Sequence, residues 1–300
     1  EIHWRDWSSD VCSSDLAHAI PGGAEVRAID GSPIEQVLAE LDRTIPAPTP
    51  GWRAAYTNYA LGEGHAGTFF GLTLQTPDGA TITRLLPRVD FSRFVAKKRP
   101  IRPPAGSELA PGIVYADATT LDAAGLEVVL AKLAHARAVI YDLRGGVPPV
   151  AFRLLAYFTR ITIPSPTFQV PVVSAAGTSY STSRTSIVPR EPTAQAELVF
   201  LVNGETASAP ETILSYARAA HIGTLLGETT AGTNGDVTSF TTLGGIRVRF
   251  TGLRMINPDG TSTQGTGFAP DIVVHPTLTG VIAGRDEILD AAVQYLRGRH

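Results

Sequence analysis

Lysine is almost missing from this chain. The 300 residues hold 25 basic side chains, yet only Lys97, Lys98 and Lys132 are lysines, so a lysine-based catalytic centre has few candidates. Cysteine is scarcer still: Cys12 stands alone, which excludes a disulfide framework. No run of about 18 apolar residues is present to span a membrane. A net charge of -3 leaves no electrostatic footprint for nucleic acid, and none is expected as a partner. No two of the 7 histidines lie within five residues of each other, so metal-ligand spacing is absent. The glycine-rich stretch from Gly227 to Gly235 lacks the Lys-Ser/Thr ending of a phosphate cradle. Neither a metal nor a cofactor is expected.

What remains is a chain 43% hydrophobic, long enough for one large core and a smaller unit. Its first sixteen residues, EIHWRDWSSDVCSSDL, carry no periodicity, and their end matches a translated sequencing-library adapter. They read as a non-native segment (1–16), with the natural chain expected to continue upstream of Ala17. A leader or upstream domain would then lie outside this sequence.

From Ala17 the pattern becomes regular. Glu25 to Ile29 reads as a strand, Asp30-Gly31 as a tight turn, and Pro33 to Leu41 as a helix with Ile34, Val37, Leu38 and Leu41 on one face. Thr44 to Gly51 reads as a proline-rich connection. Gly67 to Thr76 and Ala80 to Leu86 read as two strands joined by Pro77-Asp78-Gly79. Residues 17–90 resemble a PDZ-like domain lacking its first strands, a module that binds peptides by strand addition. A basic, proline-rich linker spans 91–110.

The larger domain, 111–300, opens on a strand (Ile113 to Ala116), a helix (Leu121 to Ala136) and a strand (Ala138 to Leu143), a βαβ-like unit followed by a helix near Val150 to Arg160. Pro164 to Arg190 reads as a long polar excursion. Leu198 to Val202 is an unbroken apolar run, the signature of a strand buried on both faces. From Ser208 onward Ile213, Leu214, Tyr216 and Ala217 recur at helical spacing, with Pro210 and Glu211 suited to a first turn. A serine thus stands where a buried strand becomes a helix, its hydroxyl in the open and the N–H of Ala209 free to face an oxyanion. The same position also suits a simple N-cap. Downstream follow a strand at Thr224 to Gly227, a hairpin through Gly244-Gly245, a strand at Asp271 to Val274 and a helix over Asp286 to Leu296.

Four phrases occur in a fixed order: Tyr141-Asp142-Leu143-Arg144-Gly145-Gly146; Thr206-Ala207-Ser208-Ala209-Pro210-Glu211-Thr212; Gly227-Glu228-Thr229-Thr230-Ala231-Gly232; and Asn257-Pro258-Asp259-Gly260 running on to Gln264 and Pro270-Asp271-Ile272. Together they resemble the tail-specific, or C-terminal processing, serine protease family, which includes the tricorn core protease and the repeats of the interphotoreceptor retinoid-binding protein. The resemblance covers about Ile113 to Leu296. It implies an α/β fold, a ClpP/crotonase-like core behind the truncated PDZ-like domain, and a serine endopeptidase acting on peptide or protein through an acyl-enzyme at Ser208. It implies oxyanion donors at Ala209 and at Gly145 or Gly146. Val147-Pro148-Pro149 follows where many members continue Asn-Pro-Gly-Gly, and prolines cannot donate. Glu211 falls at a site-supporting position. Relatives are generally exported, so a periplasmic or extracellular home is expected.

The base divides the family. Its Ser-Lys members place lysine 25 residues after the serine, where this chain has Thr233. The tricorn-like branch uses a histidine from before the PDZ-like domain and a late acidic or amide residue, for which Gln264 stands in place. The expectation is therefore a base upstream of this sequence, and weak or no activity from this chain alone. His221 follows Ser208 by thirteen residues, roughly 20 Å along a helix, too far for a hydrogen bond. His65, His135 and His275 read as structural or solvated. The rival class is a non-catalytic module holding an apolar ligand or peptide on the same fold. A crotonase-type acyl-CoA enzyme would share the core but leaves the Ser208 phrase unexplained.

Overall fold

The computed structural model describes residues 20–88 and 102–298. Segment 1–16 with Cys12, most of the 91–110 linker, and Lys97 and Lys98 lie outside the described residues. The chain divides into two compact units, one holding described residues 20–47, 53–88, 102 and 275–290, the other 48–52, 103–274 and 291–298.

In the smaller unit, β1 (Glu25–Ile29) and β2 (Ser32–Pro33) lead into α1 (Ile34–Thr44), and α2 (Pro50–Ala60), which belongs to this unit from Arg53 onward, precedes β3 (Phe69–Gln75) and β4 (Thr81–Pro87). The four strands form one antiparallel sheet in the order β2-β1-β3-β4. Alternation along β3 buries Phe70, Leu72 and Leu74 on one face, where Ile29, Ile34, Leu61 and Leu86 complete a core. The helix α2 begins inside the stretch 44–51 that reads as a proline-rich connection, and Pro50, Gly51, Thr57 and Asn58 hide its periodicity.

The larger unit is organised by a six-stranded sheet. It contains β5 (Glu108–Ala110), β6 (Ile113–Asp117), β7 (Ala138–Asp142) and, further on, β12 (Glu197–Val202), β13 (Thr224–Gly227) and β17 (Ile272–Val273), in the order β17-β13-β12-β7-β6-β5. All pairings except β5 with β6 are parallel. Every residue of β6 and β7 is buried, as expected of parallel strands covered on both faces. Helix α3 (Ala123–Leu133) makes the crossover from β6 to β7; Asp122 caps it by accepting the Gly125 N–H at 2.7 Å, and Leu126, Val129 and Leu133 join the core.

The helix expected over 150–160 is present as a 3-10 helix (Pro149–Tyr157). One stretch departs from expectation. The stretch 164–190 is not loop: it holds β8 (Ile163–Pro164), a hairpin of β9 (Thr167–Ser174) with β10 (Gly177–Ser183), and β11 (Ser186–Ile187). Its serines and threonines mimic loop composition, but Thr167, Val170 and Val172 fit a pleated strand, and most of the hairpin is solvated. Helix α4 (Ala209–Ala219) follows β12; β14 (Val237–Thr241) and β15 (Arg247–Thr251) form the hairpin read at Gly244-Gly245. β16 (Arg254–Ile256) pairs with β9, and α5 (Leu278–Ile282) and α6 (Glu287–Arg297) end the described chain.

Candidate functional site

Parallel registry sends three loops out at one edge of the sheet. Asp142 is level with Leu201, and Val202 with Gly227, so residues 143–146, 203–208 and 228–233 leave at the same carboxyl end. That is where ligands and reacting groups collect in open α/β sheets. The ladder continues past the strands, with Leu143 N–H donating to Leu201 O at 3.0 Å and Glu228 N–H to Val202 O at 2.9 Å.

The first loop is held by a buried ion pair. Asp142 is fully buried and accepts from Arg144 Nε at 2.9 Å, Arg144 Nη2 at 2.6 Å and the Tyr115 hydroxyl at 2.8 Å. Gly145 then turns with φ +133°, its N–H donating to Leu143 O at 2.9 Å. Gly146 is exposed, and its N–H makes no hydrogen bond among the described residues.

The second loop ends on Ser208. It is exposed, with φ +67° and ψ -112°, a conformation that costs a non-glycine residue about 1–3 kcal/mol. A serine strained at a strand-to-helix turn is how α/β hydrolases bare a nucleophile's hydroxyl. Ala209 opens α4, so its N–H has no helical partner, and Pro210 has no N–H to offer.

The third loop meets the second at Glu211. This carboxylate is fully buried, and four donors converge on it: Thr230 Oγ1 at 2.6 Å and Gly232 N–H at 2.7 Å on Oε1, Thr233 N–H at 3.1 Å and Ser208 N–H at 3.2 Å on Oε2. Burial pushes its pKa up, while these donors pull it back. Gly232 and Gly267, both at φ +70°, let backbones touch: a Cβ on Gly267 would stand 2.4 Å from Thr230 O, and one on Gly232 would stand 2.8 Å from Gly267 N. Thr49 Oγ1 donates to the carbonyls of Thr230 and Ala231 at 3.2 and 3.1 Å, closing the other side of the loop.

Glu211 thus brings Ser208 and Thr233 together, and Ala209 and Gly146 present free amides at the edge that carries the serine. Gln264 is exposed, and its side chain forms no hydrogen bond among the described residues; its neighbour Gly265 contacts the third loop, through N–H to Gly232 O at 2.8 Å. No histidine or lysine hydrogen-bonds Ser208 among the described residues: Lys132 donates to Gly106 O, and His221 lies beyond the far end of α4. Thr230 and the Asp142–Arg144–Tyr115 group carried no role in the sequence reading.

The larger unit is of a mixed α/β class, with a strained serine at the carboxyl edge of its parallel sheet. The sequence model of peptidase family S41 matches residues 113–274, and the chain belongs to that family. The fold resembles the crystal structure of mature CPAF, at 14% identity and TM-score 0.70, covering 97% of this chain and 80% of that one. It also resembles mature CPAF complexed with lactacystin, at 14% identity and TM-score 0.69 over 93% of this chain and 78% of that one. A photosystem II D1 C-terminal processing protease aligns at 20% identity and TM-score 0.48, over 88% and 68% of the two chains. No curated protein matches the sequence significantly. No helix among the described residues is long and apolar enough to cross a membrane.

Proposed function

We propose that this peptidase is a serine endopeptidase in which the Ser208 hydroxyl attacks a peptide carbonyl to give an acyl-enzyme. The observation that carries the reading is Ser208 itself, exposed at φ +67° on the strand-to-helix turn that opens α4. The Ala209 N–H stabilises the oxyanion. Gly146 supplies the second donor in preference to Gly145, whose N–H is spent on Leu143 O. Glu211 and Thr233 support the turn, and Gln264, at the family's late acidic position, aids from the Gly265 side.

Thr233 stands where the Ser-Lys members carry their base, so the base in this reading is a histidine from outside the described residues, as in the tricorn-like branch. In the same reading the larger unit is a ClpP/crotonase-like core and the smaller a PDZ-like module that presents peptide, with the protein working in the periplasm or outside the cell. The β1–β4 antiparallel sheet with α1 supports the PDZ-like assignment by its element types alone.

Treating the full-length protein with a serine-reactive fluorophosphonate tests the reading. Labelling is expected on Ser208 and lost in Ser208→Ala. Absence of labelling together with stoichiometric uptake of an apolar ligand or peptide makes the protein a binder on a protease fold.

A further inference from the structure

We propose that Thr230 is a positioning residue for the Ser208 turn: its hydroxyl joins the Glu211 carboxylate to the Phe268 main chain, so that three separate segments hold the nucleophile's backbone as one brace. The inference rests on Ser208 being the nucleophile and deepens that reading.

A threonine hydroxyl has a single proton to give. Here Thr230 Oγ1 spends it on Glu211 Oε1 at 2.6 Å and accepts the Phe268 N–H at 2.8 Å, while Thr230 N–H returns a bond to Phe268 O at 3.1 Å. The residue is fully buried, so no water replaces either bond when the hydroxyl is removed. The far oxygen of the same carboxylate accepts the N–H of Ser208, the residue that bears the strain. Removing the Thr230 hydroxyl therefore takes one donor from Glu211 Oε1 and leaves the Phe268 N–H unpaired. The carboxylate keeps the Gly232 and Thr233 amides but loses its side-chain tie to the Phe268 segment, which loosens the brace that holds Ser208.

The chain of bonds also accounts for the spacing of two phrases. The glutamate three residues after the serine meets the threonine and the second glycine of Gly227-Glu228-Thr229-Thr230-Ala231-Gly232, two residues apart, on one oxygen. Serine at 230 keeps the hydroxyl; valine keeps the volume and loses it.

The test is fluorophosphonate labelling of the full-length protein as wild type, Thr230→Val and Thr230→Ser, in which the serine oxygen bonds to phosphorus and displaces fluoride. The limiting phosphonylation rate of Thr230→Val is expected to fall roughly 10- to 100-fold, as a misplaced reacting group does, with half-saturating probe concentration unchanged. Thr230→Ser is expected to restore the wild-type rate. A Thr230→Val that melts lower but is phosphonylated as fast as wild type when folded overturns the proposal, as does a Thr230→Ser as slow as the valine variant. Amide hydrogen exchange on the wild type needs no variant: the Ser208, Gly232, Thr233 and Phe268 amides are expected to exchange as one cooperative group. Independent exchange of Phe268 and Ser208 overturns the brace. A wild type that never labels removes Ser208 as nucleophile, and the exchange pattern then decides the brace on its own.

Discussion

Glu211 does more at this edge than any other single side chain. Its burial and its four donors oppose each other, and burial wins: the carboxyl titrates above its ordinary 4.5. A carboxyl raised on folding contributes most to stability below its unfolded value and loses that contribution as pH rises through the folded one. Glutamine does not titrate, and its NH2 group would face amide donors at every pH. The melting temperature of wild type minus that of Glu211→Gln is therefore expected to be largest below about pH 4.5 and to shrink as pH rises. A gap that widens with pH contradicts the assignment of burial as the dominant cause. Ser208 and Glu211 were legible in the sequence because a buried strand, a serine and an acidic first turn follow one another within a dozen residues. Thr230 was not, since a threonine in a glycine-rich loop has no local mark that says which carboxylate it will meet nineteen positions back.

At the scale of elements, the exit of β7 is pinned by Asp142 and Arg144, which are 0% and 5% exposed. A buried pair of this kind adds little over an apolar replacement of both partners, but removing one partner strands the other. Arg144→Met is expected to destabilise the larger unit by about 3–5 kcal/mol in a denaturant titration. A loss under about 1 kcal/mol would mean that Asp142 is satisfied without its guanidinium, through partners such as Tyr115 and the Arg144 amide. The parallel strands themselves were readable, since residues 113–116, 138–141 and 198–202 are continuous apolar runs whose only sensible place is a doubly covered sheet. The β9–β10 hairpin was hidden for the opposite reason. Its residues are mostly solvated, so no burial pattern imposed an alternation, and its serines and threonines read as loop.

Across the whole molecule, each unit has its own core, and the family match falls within the larger one. Topology is what assembles the site: residue 142 ends β7, while 208 and 232 lie in the loops that follow β12 and β13, and the three strands are neighbours only because β12 enters the sheet between β7 and β13. Sequence order alone could place these phrases on one chain but not on one edge. The account's central claim is that the hydroxyl at this edge breaks peptide bonds. Its most direct measurement is the rate at which the full-length protein hydrolyses an unstructured polypeptide, compared with Ser208→Ala prepared identically. The account predicts a loss of about four orders of magnitude or more, to a residue that oxyanion donors and binding alone supply. Cleavage by Ser208→Ala at the wild-type rate would contradict it.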